Sequence, residues 1–140
     1  MLKRIAFNGC LLFLVACNNE STVVAPAEND VDAARTFIRT ALNGQWKDAR
    51  RFVVQDSANL EDLDVAEQNY TQRLNVTDQR NYRESTIRIY DTRKVNDSTS
   101  IVTYSNTFKN QKDSVKVVKV NGTWLVDLKY SFPNNNAVKQ

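Results

Sequence analysis

The spacing of apolar residues changes character along this 140-residue chain. Ile5 to Val15 is an almost unbroken apolar run, whereas residues 18–29, NNESTVVAPAEN, are polar, with small residues and Pro26. Helical spacing follows. Val31, Ala34, Ile38, Ala41 and Leu42 recur at i, i+3 and i+7 with Phe37 beside them, while Asp32, Arg35, Arg39 and Asn43 take the opposite side. Asn29 and Asp30 offer N-cap oxygens, and Gly44 supplies a left-handed stop. A second, short helix is predicted over 45–54, with Trp46, Ala49, Phe52 and Val53 inward and Lys47, Asp48, Arg50 and Arg51 in water. The third starts at Asp56-Ser57 and carries Leu60, Leu63, Ala66 or Glu67, Tyr70 and Leu74. Glu61, Asp62 and Asp64 near its start and Arg73 near its end complement the helix dipole. A helix spreads these acids over its solvated face, unlike a calcium loop, which arranges oxygen ligands around a glycine turn.

From Tyr82 the period shortens to two. Ile87 and Ile89 alternate with Thr86, Arg88 and Tyr90. Beyond a turn at Val95-Asn96-Asp97-Ser98, Val102, Tyr104 and Phe108 alternate with Ile101, Thr103 and Ser105. Asn110-Gln111-Lys112 marks the next turn, Val115 and Val117 alternate with Lys116 and Val118, and Asn121-Gly122 signals a two-residue hairpin. The last strand reads from Thr123 to Phe132. Trp124, Val126, Leu128, Tyr130 and Phe132 line one face, and Leu125, Asp127, Lys129 and Ser131 the other. Pro133 closes it, with residues 134–140 expected as a disordered tail. The prediction is an α+β fold, with N-terminal helices packed on a four-stranded antiparallel meander whose apolar face only those helices can cover.

The first apolar run belongs to a different kind of segment. It spans about eleven residues, against roughly twenty for a membrane-spanning helix. Lys3 and Arg4 precede it, as in a removable secretory signal. Leu14-Val15-Ala16-Cys17 then resembles the lipobox of bacterial lipoproteins. The resemblance implies cleavage before Cys17, diacylglycerol on its thiol and acylation of the new amino terminus. Two or more such chains anchor stably, because each buried methylene contributes about 0.8 kcal/mol. The expected organisation is a signal at 1–16, a lipidated cysteine and flexible tether at 17–29, and one domain at 30–133. Membrane lipid, reached through acylated Cys17, is the first expected partner, in the inner or outer membrane of a bacterial envelope. In some Bacteroidetes lipoproteins an acidic run after the cysteine directs surface export. Glu20 alone stands in that place here, which favours the periplasmic side.

Composition narrows the chemistry. From Cys17 onward about 124 residues remain, the size of one domain. Without Lys3 and Arg4 the 19 basic residues become 17, against 16 acidic ones, so no charge excess suggests nucleic acid. Cys10 falls in the signal and Cys17 is taken by lipid, leaving no thiol for a disulfide, nucleophile or metal. Histidine is absent, which removes the commonest general base and metal ligand. No cofactor, metal site or catalytic residue is expected.

The stretch AARTFIRTALNGQWKDARRFV, four strands and the closing NGTWLVDLKYSF resemble lipoproteins of the DUF4878 type. Ala34, Phe37, Ile38, Ala41, Leu42, Gly44 and Ala49 carry the first likeness, and Trp124, Leu125, Val126 and Asp127 the second. That group is similar to the wider NTF2-like, cystatin-like superfamily. The resemblance implies a curved sheet wrapped on helices with a concave pocket, and no particular activity.

Three functional classes follow. A small-molecule pocket between sheet and helices would use Trp46, Tyr104 and Trp124 as aromatic lining. An envelope interaction or structural domain would use the sheet face, made basic by Arg88, Lys116, Lys119 and Lys129. An isomerase-like enzyme would need Asp127 with Tyr104 and Tyr130, the aspartate–tyrosine chemistry of some superfamily members. Asp127 and Tyr130, three residues apart on one strand, are expected to face opposite ways. Asp56-Ser57-Ala58, Asp97-Ser98-Thr99 and Asp113-Ser114-Val115 also resemble the O-glycosylation acceptors of exported Bacteroidetes proteins, which makes Ser57, Ser98 and Ser114 candidate sites.

Overall fold

Asn29 starts the first helix in the way its side chain permits, accepting the Asp32 amide at 2.9 Å. The structure, a computed structural model, describes residues 25–131. The signal, Cys17, most of the tether, Phe132 and the tail therefore lie outside the described residues. Helix α1, Asp30–Leu42, buries Ala33, Ala34, Phe37 and Ile38. The two alanines let the helix backbone lie close on the sheet, while Phe37 and Ile38 each contribute about 1.5–3 kcal/mol of burial. Asp30 is buried rather than a second cap. Its carboxylate accepts from Lys94 Nζ and Ser100 Oγ on the sheet and from the Val31 amide at 2.9 Å. Burial raises its pKa, but these donors and the lysine charge outweigh that and hold it below the usual carboxylate range.

Helix α2 is Trp46–Ala49, shorter than the predicted 45–54 element. It tightens into a 3-10 turn, Arg50–Phe52, and Val53 is already extended. The reason lies in the sheet. Val53 forms a parallel bridge to Val126, and the Val54 amide donates to the Val126 carbonyl at 3.0 Å. Helix α3, Ser57–Gln68, is capped by Asp56 at 2.8 Å and runs into a π-helical turn, Asn69–Arg73. Asp62, expected on the wet face, is buried there with Asn59 and Leu63. Helix α4, Val76–Glu84, was not anticipated by the apolar spacing, and none of its residues is buried. Its signal is polar, since Asn75 accepts the Asp78 amide at 2.9 Å and donates back to the Asp78 carboxylate at 3.0 Å.

The sheet is an antiparallel meander of β1 Ile87–Asn96, β2 Thr99–Asn106, β3 Asp113–Val120 and β4 Thr123–Asp127, in that order. Helices followed by this sheet make the α+β class expected from the alternation. Asn121 and Gly122, both with positive φ (49° and 82°), form the hairpin turn that their sequence signals. Tyr104, Val102 and Val115, Val117 and Val126 share the helix-facing side, where Val102, Val117 and Val126 are completely buried.

Two strand ends differ from the alternation. Phe108 lies beyond β2 and packs edge-on against Tyr82 at 4.9 Å. β4 stops at Asp127 instead of reaching Phe132, and Leu128–Tyr130 forms a 3-10 turn. There the Leu128 amide leaves the ladder and donates to the buried Asn59 Oδ1 at 2.6 Å. Leu128 stays in the core, but Tyr130 turns out to solvent and does not share the inner face with Trp124 and Val126. A bulge at Tyr90 breaks the register between Ile89 and Asp91. It reverses the parity of β1, so Thr92 and Lys94 follow Ile87 and Ile89 onto the helix-facing side. That reversal brings Lys94 to Asp30.

Candidate functional site

A groove opens between the C-terminal end of α1, the π-helical turn, α4 and the loop joining β2 to β3. Its largest part encloses about 530 Å³, walled by Ala41, Leu42, Trp46, Ala66, Tyr70 and Leu74, with Arg73, Tyr82 and Lys109 around the opening. Tyr82, Leu42 and Lys109 also border an adjoining part of about 420 Å³, which reaches Tyr104, Lys112 and Asp113. A smaller chamber of about 150 Å³ under Phe37, Trp46, Tyr104 and Leu128 shares walls with both. The two larger volumes fall within the range of small-molecule sites.

Local sequence explains how the walls are placed. The Trp46 ring meets Tyr70 edge-on, with centroids 5.6 Å apart and planes at 69°. The π-helical turn shifts Tyr70 out of the α-helical register, and its hydroxyl donates to the Leu42 carbonyl at 3.2 Å. Gly44 makes room for that ring. Its φ is +73°, and a Cβ there would stand 3.0 Å from Tyr70 Cε1. Gln79 of α4 then ties the turn down, donating to the Tyr70 and Leu74 carbonyls at 3.1 Å each. The unforeseen helix thus fixes one wall of the groove.

The polar groups divide by sign. Tyr104 sits opposite Asp113 in the β2–β3 register. Burial, and then the Asp113 carboxylate, push its phenol pKa well above the ordinary value, so it stays a neutral donor. The indole Nε1 of Trp46 is buried without a hydrogen-bond partner. Arg73 and Lys109, both exposed, make no ion pair among the described residues, and the Lys112 ammonium lies 4.5 Å over the Tyr90 ring. Among the described residues, no group of three or more acidic, histidine or cysteine side chains gathers as a metal site.

Of the three aromatics expected to line a pocket, Trp46 and Tyr104 share this groove. Trp124 lies apart, in a recess of about 300 Å³ beside Pro26 and Phe52. There Lys94 and Lys119 stand 5.3 Å and 5.5 Å from its ring centroid. The Asp127, Tyr104 and Tyr130 set does not converge. Tyr104 pairs in register with Asp113 and Asp127 with Lys116, three residues further along β3 and therefore on the opposite face. Asp127 is engaged by Lys116 Nζ at 3.2 Å, with Lys129 Nζ at 3.9 Å. The four expected basic side chains divide too. Arg88 and Lys116 occupy the outer face, Lys119 belongs to the Trp124 side, and Lys129 pairs with Asp56 at 2.8 Å. Ser57 and Ser98 are exposed, at the start of α3 and in the β1–β2 turn, whereas Ser114 lies within β3 with its hydroxyl 3.1 Å from Thr103 Oγ1. Spacing presents Leu42, Tyr70 and Leu74 only as periodic helix residues and Tyr82 only as the point where the period changes. The Asn75–Asp78 cap that positions α4 is the sequence signal that would have drawn them together.

No protein-family profile, curated protein or solved structure matches the chain, so geometry alone carries the functional reading.

Proposed function

We propose that this chain is a lipid-anchored protein of a bacterial envelope whose NTF2-like, cystatin-like domain holds a small molecule between helices and sheet. The observation that carries the binding role is the aromatic-walled groove of about 530 Å³. A groove closed by core packing would not leave Trp46 and Tyr82 lining one open space. The resemblance to DUF4878-type lipoproteins supports the setting, and Leu14 to Cys17 supports the anchor. Binding is favoured over catalysis because the candidate aspartate and tyrosine stand on opposite faces of the sheet, while the tyrosine in the groove is held neutral.

The chain has two tryptophans, so Trp124→Phe leaves Trp46 as the sole reporter. Titrating that full-length variant with decanol, a neutral apolar probe, is expected to change Trp46 emission saturably. Ala66→Phe or Ala41→Phe, each filling the groove from one wall, should remove the change while the circular dichroism of the fold is retained. An emission change that persists in both filled variants would place the probe elsewhere and defeat the reading.

A further inference from the structure

We infer that the groove selects an amphipathic anion, an apolar chain or ring carrying one anionic head, and this rests on the binding role proposed above. The argument comes from the distribution of charge around the apolar part. Among the described residues, the charged side chains bordering its 530 Å³ are Arg73 and Lys109, and no carboxylate borders it. They come from different elements, Arg73 from the π-helical turn and Lys109 from the β2–β3 loop. Neither is committed to an ion pair among the described residues, whereas Lys94, Lys116 and Lys129 all are. Lys112 adds a third cation in the adjoining part, where Asp113 is the carboxylate present and faces Tyr104.

The interior holds the complement of such a head, an apolar bed. Ala41, Leu42, Ala66 and Leu74 contribute only hydrocarbon, Trp46 and Tyr70 add rings, and the Asn69 amide is a neutral polar group beside them. An anion there keeps its head in water at the rim while its body leaves water. That arrangement avoids the large cost of burying a charge. The chain beyond Arg4 carries 17 basic against 16 acidic residues, so attraction of an anion to this opening is local and not a consequence of net charge.

Exposed ion pairs contribute a factor of about 1.5 to 5 each, so two rim cations should favour the anion roughly 2- to 25-fold. The test compares decanoate with decanol, which share a chain and differ at the head, on the full-length Trp124→Phe chain at low ionic strength. Decanoate should bind tighter within that range, and the preference should shrink as salt is raised. Arg73→Gln with Lys109→Gln should shrink the preference for decanoate over decanol, and a preference left unchanged would overturn the assignment of these two cations. Lys119→Gln, away from the groove, should not alter that preference. Equal affinity for the two probes overturns the anion assignment while leaving the groove a binding site. No saturable binding of either probe defeats the underlying binding role instead. Cosedimentation with phosphatidylglycerol vesicles that needs Arg73 and Lys109, without any decanoate preference, would give these cations to a membrane surface and overturn the proposal.

Discussion

Lys129 Nζ reaches Asp56 Oδ2 at 2.8 Å, and Asp56 also caps α3 through the Asn59 amide. The lysine hydrogen bond, then the amide, hold the Asp56 pKa down to about 2, and the same contact raises that of Lys129. A depressed carboxylate contributes stability above its unfolded pKa of about 3.9 and loses it as pH falls through its folded value. For Asp56 the loss therefore falls between about pH 4 and pH 2. Both side chains are about two-fifths exposed (42% and 41%), so screening keeps the effect to about 1 kcal/mol or less. Asp56→Asn keeps a good N-cap and removes the charge. Its melting temperature should fall below that of the unaltered chain at pH 7 and converge with it near pH 2. A gap that stays constant over that range would show that the ion pair contributes nothing.

Elements end where a side chain from elsewhere takes over a backbone group. Trp124 and Val126 alternate in β4, Thr123–Asp127, and the alternation continues through Phe132 in the sequence, so periodicity alone extends the strand. Asn59, far off in α3, takes the Leu128 amide at 2.6 Å and ends it. No local pattern in residues 123–132 carries that information, and Asn59 itself reads as an ordinary polar helix residue. Asn59→Ala should cost about 1–3 kcal/mol in urea unfolding, because a buried amide loses its acceptor. A change below about 0.5 kcal/mol would mean that water replaces the asparagine without penalty. α4 failed to show for the converse reason. Its residues bury no apolar stripe, and its evidence is a polar cap at Asn75 and Asp78. Where a helix or strand is specified by its own buried face, as in α1, β2 and β3, the spacing locates it. Where a polar cap or a distant partner specifies it, the apolar spacing does not.

At the scale of the molecule, class and strand order were legible because four alternating segments on short connections leave few topologies. The site was legible only in part. Trp46 and Tyr104 come together because both lie on inner faces, but the larger part of the groove beside Trp46 depends on the π-helical turn and on Gln79 holding it. Both are tertiary arrangements. The proposed anchor makes its own prediction. Cells given a labelled fatty acid should incorporate label into the chain, and Cys17→Ala should abolish it. An unlabelled chain with Cys17 intact would remove the anchor.

Helix α1 carries a consequence of direction. The chain enters it at Asp30, clasped by Lys94 and Ser100, and leaves it at Leu42 on the wall of the groove, about 20 Å further along the 13-residue axis. The entry pole and the receiving pole are thus opposite ends of one rod. Ala25, Pro26 and Ala27, just ahead of the helix, border the recess that holds Trp124, whereas the groove lies by the helix's other end. Tension drawn through the entry is met first by the clasp, before it reaches the groove. If the proposed anchor and binding role hold, the molecule would be fastened at one end and would receive its ligand at the other.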